Sequence, residues 1–154
     1  MSGQARRAGG EHAQEQVRTD DPMVRITSVP LGLDVNEVMA GLSDDVSRDT
    51  GLDRNLMTYY WQTFDAVYCP ALKDAIVQQP IFVDMYVPGF MTDEVIAGLM
   101  TSLALSLQER AGIPKEFVFI HTHVPKEGHV YIAGGVAKWQ ELESGVPQVP
   151  SAKG

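Results

Sequence analysis

The chain has 154 residues and a formal net charge of −8 at pH 7, which fits one folded domain and leaves too little sequence for two. The acidic charge balance argues against a nucleic-acid partner, because that role needs clustered Lys and Arg to displace phosphate counterions. The longest apolar runs are strand-sized and the amino terminus is polar, so we expect no membrane partner and a cytoplasmic location.

Cys69 is the only cysteine of the chain. This count excludes a disulfide within the chain, a thiolate zinc site and a CxxC redox pair. We therefore expect neither a structural metal nor another cofactor.

Both ends of the chain are poor in large apolar residues. Residues 1–21 contain almost none, and such a segment cannot bury enough surface to offset the entropy of ordering it. The segment 144–154 carries two prolines, which block helix formation and interrupt strand pairing. We predict disordered ends at 1–21 and 144–154 around a folded domain at 22–143.

The first half of the domain, residues 22–68, has the pattern of strand, helix and strand. The segment Met23–Val29 has alternating β-branched residues and ends at a Pro-Leu-Gly turn. This pattern predicts a strand. Asp34 can cap a following helix with one apolar stripe, and Gly51 can end that helix in the left-handed conformation. Leu56–Val67 is rich in Thr, Tyr, Trp and Phe, which predicts a second strand.

The second half, residues 80–124, repeats the first. The phrase Glu-Val-Met-Ala-Gly-Leu at Glu37–Leu42 returns as Glu-Val-Ile-Ala-Gly-Leu at Glu94–Leu99, offset by 57 positions. This repeat indicates two β-α-β units, in each of which the two strands are parallel. The predicted elements of the second unit are a strand at Ile81–Val87, a helix from Thr92 to Arg110 and a strand at Phe117–Val124.

The two units together predict an α/β (α+β) fold, with a four-stranded mixed sheet and two helices on one of its faces. The opposite face is then bare, and we expect Tyr59, Trp61 and Phe119 to lie on it, covered by other copies of the chain. The later segment 129–135 predicts a short ribbon, long enough to pair with the sheet edge of a neighbouring copy.

The pattern over residues 22–135 resembles the tautomerase superfamily, the group of 4-oxalocrotonate tautomerase and macrophage migration inhibitory factor. The resemblance rests on the proline-led strand Pro22-Met-Val-Arg-Ile, the paired β-α-β units, and the run Ile113–Pro125 followed by Gly-His-Val-Tyr-Ile-Ala-Gly-Gly135. It implies a homotrimer packed sheet to sheet, with small-molecule sites near the subunit boundaries.

The resemblance also implies a chemistry in which an amino-terminal proline acts as general base or nucleophile. Pro22 lies at the corresponding position. However, Asp21 acylates the nitrogen of Pro22, and an amide nitrogen is neither basic nor nucleophilic. Keto–enol tautomerisation of a small oxo compound by Pro22 therefore requires cleavage of the bond between these two residues.

Further candidate site residues come from the same resemblance and from residue chemistry. His121 matches a position where relatives present an active-site side chain, and a histidine there can act as acid, base or hydrogen-bond donor. Guanidinium groups bind a carboxylate through paired hydrogen bonds, and aromatic side chains commonly line ligand pockets. The candidates for substrate binding are Arg25, Arg54, Tyr59, Phe119 and Tyr131.

Asp84 is the most out-of-place charge, because it interrupts the apolar strand Ile81–Val87. A buried carboxylate needs either a partner or a proton. A salt bridge to Arg25 is one interpretation, although the repeat predicts that Asp84 lies opposite Ile26. A catalytic acid with a raised pKa is the other.

Two other functional classes remain open. A non-catalytic trimer that binds a small ligand or a protein is favoured by the blocked proline and by the scarcity of arginines. A metal-dependent enzyme built on His121, His123 and His129 is the third hypothesis, since alternation places the first two on one strand face. That constellation lacks a clear carboxylate or cysteine partner.

Overall fold

A computed structural model of the protein describes residues 22–70 and 79–138. The predicted disordered ends at 1–21 and 144–154 lie outside the described residues. Within the described ranges, no helix is long and apolar enough to cross a membrane. The elements follow in the order β1 Met23–Ser28, α1 Val35–Thr50, β2 Thr58–Thr63, β3 Ile81–Tyr86, α2 Asp93–Ala111, β4 Val118–His123, β5 Tyr131–Ile132 and β6 Gly135–Val136, with short 3₁₀ helices at Arg54–Leu56 and Lys115–Phe117.

The described residues fall into two compact units. The larger unit comprises Pro22–Tyr86 and Thr92–His123, and it holds both helices and the strands β1 to β4. The smaller unit comprises Val87–Met91 and the residues 124–138, with the strands β5 and β6.

The larger unit contains a four-stranded sheet in the order β2-β1-β3-β4. Strand β1 is parallel to β2 and strand β3 is parallel to β4, while the central pair β1 and β3 is antiparallel. Helix α1 joins the first pair, helix α2 joins the second, and the two helices pack against each other. The prediction of two β-α-β units in one mixed sheet is confirmed.

Capping residues set the limits of both helices as predicted. The carboxylate of Asp34 accepts a hydrogen bond from the backbone N–H of Glu37, and the hydroxyl of Thr92 accepts one from the N–H of Val95. Both helices end at a glycine in the left-handed conformation, for example Gly51 with a φ of 80°. A side chain would be strained in that conformation, which is why glycine ends the helix.

The core lies between the two helices and one face of the sheet. Alternate residues of β1 and β3 point into it, as the two-residue period of a strand requires. Burying one such aliphatic side chain is worth about 1.5–3 kcal/mol. The core side chains exposed by 1% or less are Val24, Ile26, Leu42, Val46, Ile81, Val83, Met85, Leu99, Leu103 and Leu107.

The helices contact each other through two matched hydrogen bonds. The hydroxyl of Ser106 donates to Asp45 at 2.6 Å, and the hydroxyl of Ser102 donates to Asp49 at 2.8 Å. In the sequence repeat, Asp45 is equivalent to Ser102 and Asp49 is equivalent to Ser106. Both bonds are donated by α2 and accepted by α1, and the two pairs of positions are related as in a twofold-symmetric arrangement.

One ion pair breaks this symmetry. Arg110 donates to Asp45 from Nε at 2.7 Å and from Nη2 at 3.0 Å, and these bonds hold the pKa of Asp45 well below its ordinary value. The guanidinium occupies the place that a Cβ at position 41 would need, so a larger residue than Gly41 would displace it. Gly98, its repeat equivalent, has open space at the same position.

The strand register corrects the predicted face of β2. Tyr59 lies opposite Val24 and Trp61 lies opposite Ile26, and paired residues of neighbouring strands share a face. Both aromatic side chains therefore lie on the helix-covered face, and the indole N–H of Trp61 donates to the buried hydroxyl of Ser28 at 3.0 Å. The prediction that they lie on the bare face was wrong, because aromatic content favours a strand without fixing its orientation.

The smaller unit carries a hairpin, in which Tyr131 lies opposite Val136. The two turn residues, Ala133 and Gly134, have φ values of 56° and 85°. Positive φ at both central residues is the signature of a type I′ turn, whose twist matches that of the strands it joins. The predicted short ribbon is thus present, as a hairpin that pairs with itself.

Candidate functional site on the open sheet face

The sheet face away from the helices gathers several residues able to do chemistry. The register places Arg25 of β1, Asp84 and Tyr86 of β3, and His121 and His123 of β4 on this face, which we call the open face. All of these residues are half-buried or exposed. The open face therefore combines ionisable groups with access to solvent.

Asp84 forms a salt bridge with Arg25 across the central strand pair. The two residues are directly opposite, and Arg25 Nη2 lies 3.0 Å from Asp84 Oδ2. The salt-bridge interpretation of Asp84 is confirmed. The prediction that Asp84 lies opposite Ile26 was wrong, because a repeat identifies equivalent positions but does not set strand register. Ile26 instead faces its own equivalent, Val83.

The second carboxylate oxygen of Asp84 binds His123. Nε2 of His123 lies 2.8 Å from Asp84 Oδ1, a diagonal contact between β3 and β4. The imidazole also stacks on the ring of Tyr86, with centroids 4.5 Å apart and planes 17° apart. Since Arg25 Nη2 donates to the Tyr86 hydroxyl at 3.3 Å, all four side chains are connected. We call Arg25, Asp84, Tyr86 and His123 the polar cluster.

Asp84 is ionised in this cluster at neutral pH. Partial burial opposes its charge, but the hydrogen bonds from His123 and Arg25 outweigh that effect, so the pKa of Asp84 lies below its ordinary value. The interpretation of Asp84 as an acid with a raised pKa was wrong, because it took no account of these two donors. An ionised carboxylate only accepts hydrogen bonds, so Asp84 is suited to orient its partners.

The other half of the open face is apolar. Phe119 stacks on Phe82 with ring centroids 5.5 Å apart, and Phe64 approaches Phe82 with centroids 6.1 Å apart. We call these three residues the aromatic row. Phe119 lies on the open face, as predicted, and it is held there by another aromatic ring.

His121 lies on the same face as the polar cluster and is exposed. The register places it directly opposite Asp84, yet the carboxylate bonds to His123, two residues further along β4. The predicted alignment of Phe119, His121 and His123 on one face is confirmed. The role of His121 in catalysis stays a prediction.

Pro22 directly precedes β1, and its side chain is fully buried. Its carbonyl accepts a hydrogen bond from the backbone N–H of Thr58 at 3.2 Å, which fixes Pro22 beside the start of β2. The residue is thus held firmly at the beginning of the sheet.

The remaining candidate residues are placed elsewhere. Arg54 forms an ion pair with Asp44 of α1, and Tyr59 faces the helices, where burial raises the pKa of its hydroxyl. Tyr131 is 73% exposed in the hairpin of the smaller unit. The structure therefore brings Arg25, Phe119 and His121 onto the open face, and it does not bring Arg54 or Tyr59 there.

The metal hypothesis has no support in the part of the chain that the structure describes. Within residues 22–70 and 79–138, no three His, Cys, Asp or Glu side chains are grouped as a metal ion would require. His123, which that hypothesis used as a ligand, instead binds the carboxylate of Asp84.

Sequence reasoning did not name Tyr86, and of the other members of the polar cluster it named His123 only as a metal ligand. Two signals pointed to His123: its place on the same strand face as His121, and the unexplained charge of Asp84 in the neighbouring strand. The bond between them depends on the register of β3 against β4, which the sequence does not specify.

Several solved structures share the fold of this chain. The crystal structure of Pt0534 inactivated by 2-oxo-3-pentynoate matches with a TM-score of 0.64 at 15% identity, over 77% of this chain and 98% of that chain. The Q0 fused 4-OT wild-type symmetric trimer matches with a TM-score of 0.60 at 16% identity, over 75% and 94%.

A third match is the crystal structure of a macrophage migration inhibitory factor-like protein from Entamoeba histolytica. Its TM-score is 0.59 at 14% identity, over 75% of this chain and 97% of that chain. No model of a protein family matches the sequence, and no curated protein matches it either. At these identities the likeness establishes the fold. The fold that the sequence resemblance implied is therefore confirmed.

Proposed function

We propose that the protein is a homotrimeric, cytoplasmic, tautomerase-like isomerase that moves a proton within a small oxo compound once the bond between Asp21 and Pro22 is cleaved. The observation that carries this proposal is the place of Pro22. Pro22 directly precedes β1. The resemblance of this chain to the tautomerase superfamily implies a catalytic proline at that point.

Cleavage would change the chemistry of the Pro22 nitrogen from an amide to a secondary amine. Burial disfavours the charged form of an amine, and the side chain of Pro22 is fully buried. A neutral amine can take a proton from the carbon beside a carbonyl group. Returning that proton to the other end of the enolate completes a tautomerisation.

The aromatic row supports the trimer. Phe64, Phe82 and Phe119 are only half-buried in one chain, and large apolar groups on an uncovered sheet face are typical of interfaces. One matching structure is a symmetric trimer of fused 4-OT. Analytical ultracentrifugation should therefore give three times the 16.9 kDa mass of the chain, and a monomer would contradict the assembly.

Two preparations test the role of Pro22: the intact chain, and a chain released so that Pro22 is its first residue. Intact mass identifies each form, and tautomerisation of phenylpyruvate and of 2-hydroxymuconate measures activity. We expect release to raise the rate, and Pro22→Ala in the released form to lower it about 100-fold or more. A released chain without added activity would contradict the isomerase proposal.

A non-catalytic trimer that binds a small ligand or a protein is the second candidate. It is favoured by the intact peptide bond at Pro22 and by the pairing of Arg25 and Arg54 with acidic side chains. A protein of this kind should bind its ligand equally well with Pro22→Ala, which a thermal-shift titration with phenylpyruvate would show.

A further inference from the structure

His123 has the geometry of an oriented base. Its Nε2 lies 2.8 Å from Asp84 Oδ1, and an ionised carboxylate can only accept a hydrogen bond. The Nε2 atom therefore carries the ring proton and donates it to Asp84 in this hydrogen bond. In the neutral ring, Nδ1 then holds the lone pair that can accept a proton.

We propose that His123 is a general base of the intact chain, oriented by Asp84, and that it transfers protons in small enolisable carbonyl compounds without the participation of Pro22. The substrate class is taken from the proposed function. The site itself is different, because the nitrogen of Pro22 remains an amide throughout.

The neighbours of His123 fix its ring while leaving it reachable. Tyr86 stacks on the imidazole with planes 17° apart, and Arg25 holds the other oxygen of Asp84 at 3.0 Å. The side chain of His123 nevertheless remains 44% exposed. A base that is held in one orientation and open to solvent can meet a small substrate with little loss of conformational freedom.

The proton balance of the step needs no further reactant. Nδ1 takes the proton from the carbon beside the carbonyl group, and the electrons of that C–H bond form the C=C bond of an enolate. The imidazolium then returns the proton to the enolate oxygen, which gives the enol. The same steps in reverse convert the enol to the ketone, and the histidine ends each cycle neutral.

Several other ionisable groups lie with His123 on the open face. Asp84 and Tyr86 lie on β3, Arg25 on β1 and His121 on β4. Tyr60, whose position on β2 is opposite Arg25, completes the set. Asp84 is the acidic group in contact with the imidazole, so its removal should take away the hydrogen bond that orients the ring.

The test uses the intact chain, with the bond between Asp21 and Pro22 verified by intact mass, and ketonisation of the phenylpyruvate enol as the probe. His123→Gln keeps an amide near Asp84 and removes the base, so the rate should fall about 100-fold or more. His129→Gln is the matched control, an exposed histidine of the smaller unit, and should stay within about twofold of wild type. Circular dichroism checks that each variant is folded.

The pH profile tests the proposal without any variant. The rate of the wild-type chain should rise with pH, because a general base must be unprotonated to act. Asp84→Asn should lower the rate, because an amide does not fix the tautomer of the ring as a carboxylate does. A flat profile, an inactive intact chain, or an unchanged rate in His123→Gln would overturn the proposal, while the released chain would still test Pro22 separately.

Discussion

Between the helices, equivalent residues of the repeat exchange equivalent contacts, from Ser106 to Asp45 and from Ser102 to Asp49. On the open face the same repeat has lost its symmetry. Around the central pair of Ile26 and Val83, one side carries the Arg25–Asp84 ion pair and the other carries Thr27 opposite Phe82. In the repeat, Arg25 is equivalent to Phe82 and Thr27 to Asp84.

The difference shows where packing constrains the sequence. Side chains between two helices must fit neighbours on both sides, so compatible changes are few. The open face has no such cover within the chain, and its two halves are free to differ. We therefore expect changes between the helices to affect mainly stability, and changes on the open face to affect mainly activity.

The largest effect should come from Asp45→Asn, which removes the ionised partner of Arg110 between the helices. Breaking a fully buried ion pair costs about 3–5 kcal/mol, and we expect about 2–3 kcal/mol here because solvent can reach the 42% exposed side chain of Arg110. Urea unfolding followed by circular dichroism measures the loss. Asp49→Asn should cost less, since the Asp49 side chain is 37% exposed.

The pH dependence of the same pair has a definite sign. Because the folded chain lowers the pKa of Asp45, its ion pair stabilises the fold above the ordinary aspartate pKa of about 4. That stabilisation is lost as the pH falls through the lowered pKa. Wild type should therefore lose more stability in acid than Asp45→Asn does, and parallel pH curves would contradict the assignment.

A second comparison uses the repeat glycines. Gly41→Ala should destabilise the protein by about 1–3 kcal/mol, because its Cβ would collide with the guanidinium of Arg110. Gly98→Ala should raise the free energy of unfolding by up to about 1 kcal/mol, because alanine favours the helix and nothing lies within 4 Å of the new Cβ. Thermal unfolding of both variants measures the difference.

The control for the two glycine variants is the double variant of Gly41→Ala with Arg110→Ala, measured against Arg110→Ala alone. Without the guanidinium, the alanine at position 41 should no longer be destabilising. Equal effects at the two glycines in the wild-type background would show that the close approach of Arg110 is unimportant.

The smallest effect on stability should come from Asp84→Asn, at about 0.5–1 kcal/mol, because the partners of Asp84 are substantially exposed. The lowered pKa of Asp84 means that its contribution is present above the ordinary aspartate pKa and lost as the pH falls through the lowered value. Chemical denaturation at several pH values measures it. A loss of stability as large as that of Asp45→Asn would contradict the expected difference between the helix contact and the open face.

Helix limits were predictable because they depend on local chemistry. Asp34 and Thr92 accept backbone hydrogen bonds at the first turns, and Gly51 adopts the positive φ that ends α1. These signals lie within a few residues of the structure they determine, so the sequence reveals them directly. The repeat then indicated two β-α-β units in one mixed sheet, without any knowledge of tertiary contacts.

The faces and partners of the strands could not be predicted in the same way. Trp61 belongs to a strand that is aromatic on both faces, so its composition does not indicate which side meets the helices. The pairing of Asp84 with Arg25 and His123 depends on the registers of two strand pairs at once. A shift of one residue in either register would have produced a different site.

The paired bonds between the helices also follow the contact rule of a symmetric dimer. In a symmetric dimer, residue i of one copy contacts residue j of the other, and j contacts i in return. Asp45, Ser106, Asp49 and Ser102 follow this rule within a single polypeptide. The two β-α-β halves of the chain are thus arranged as the two subunits of a symmetric dimer are, inside one polypeptide.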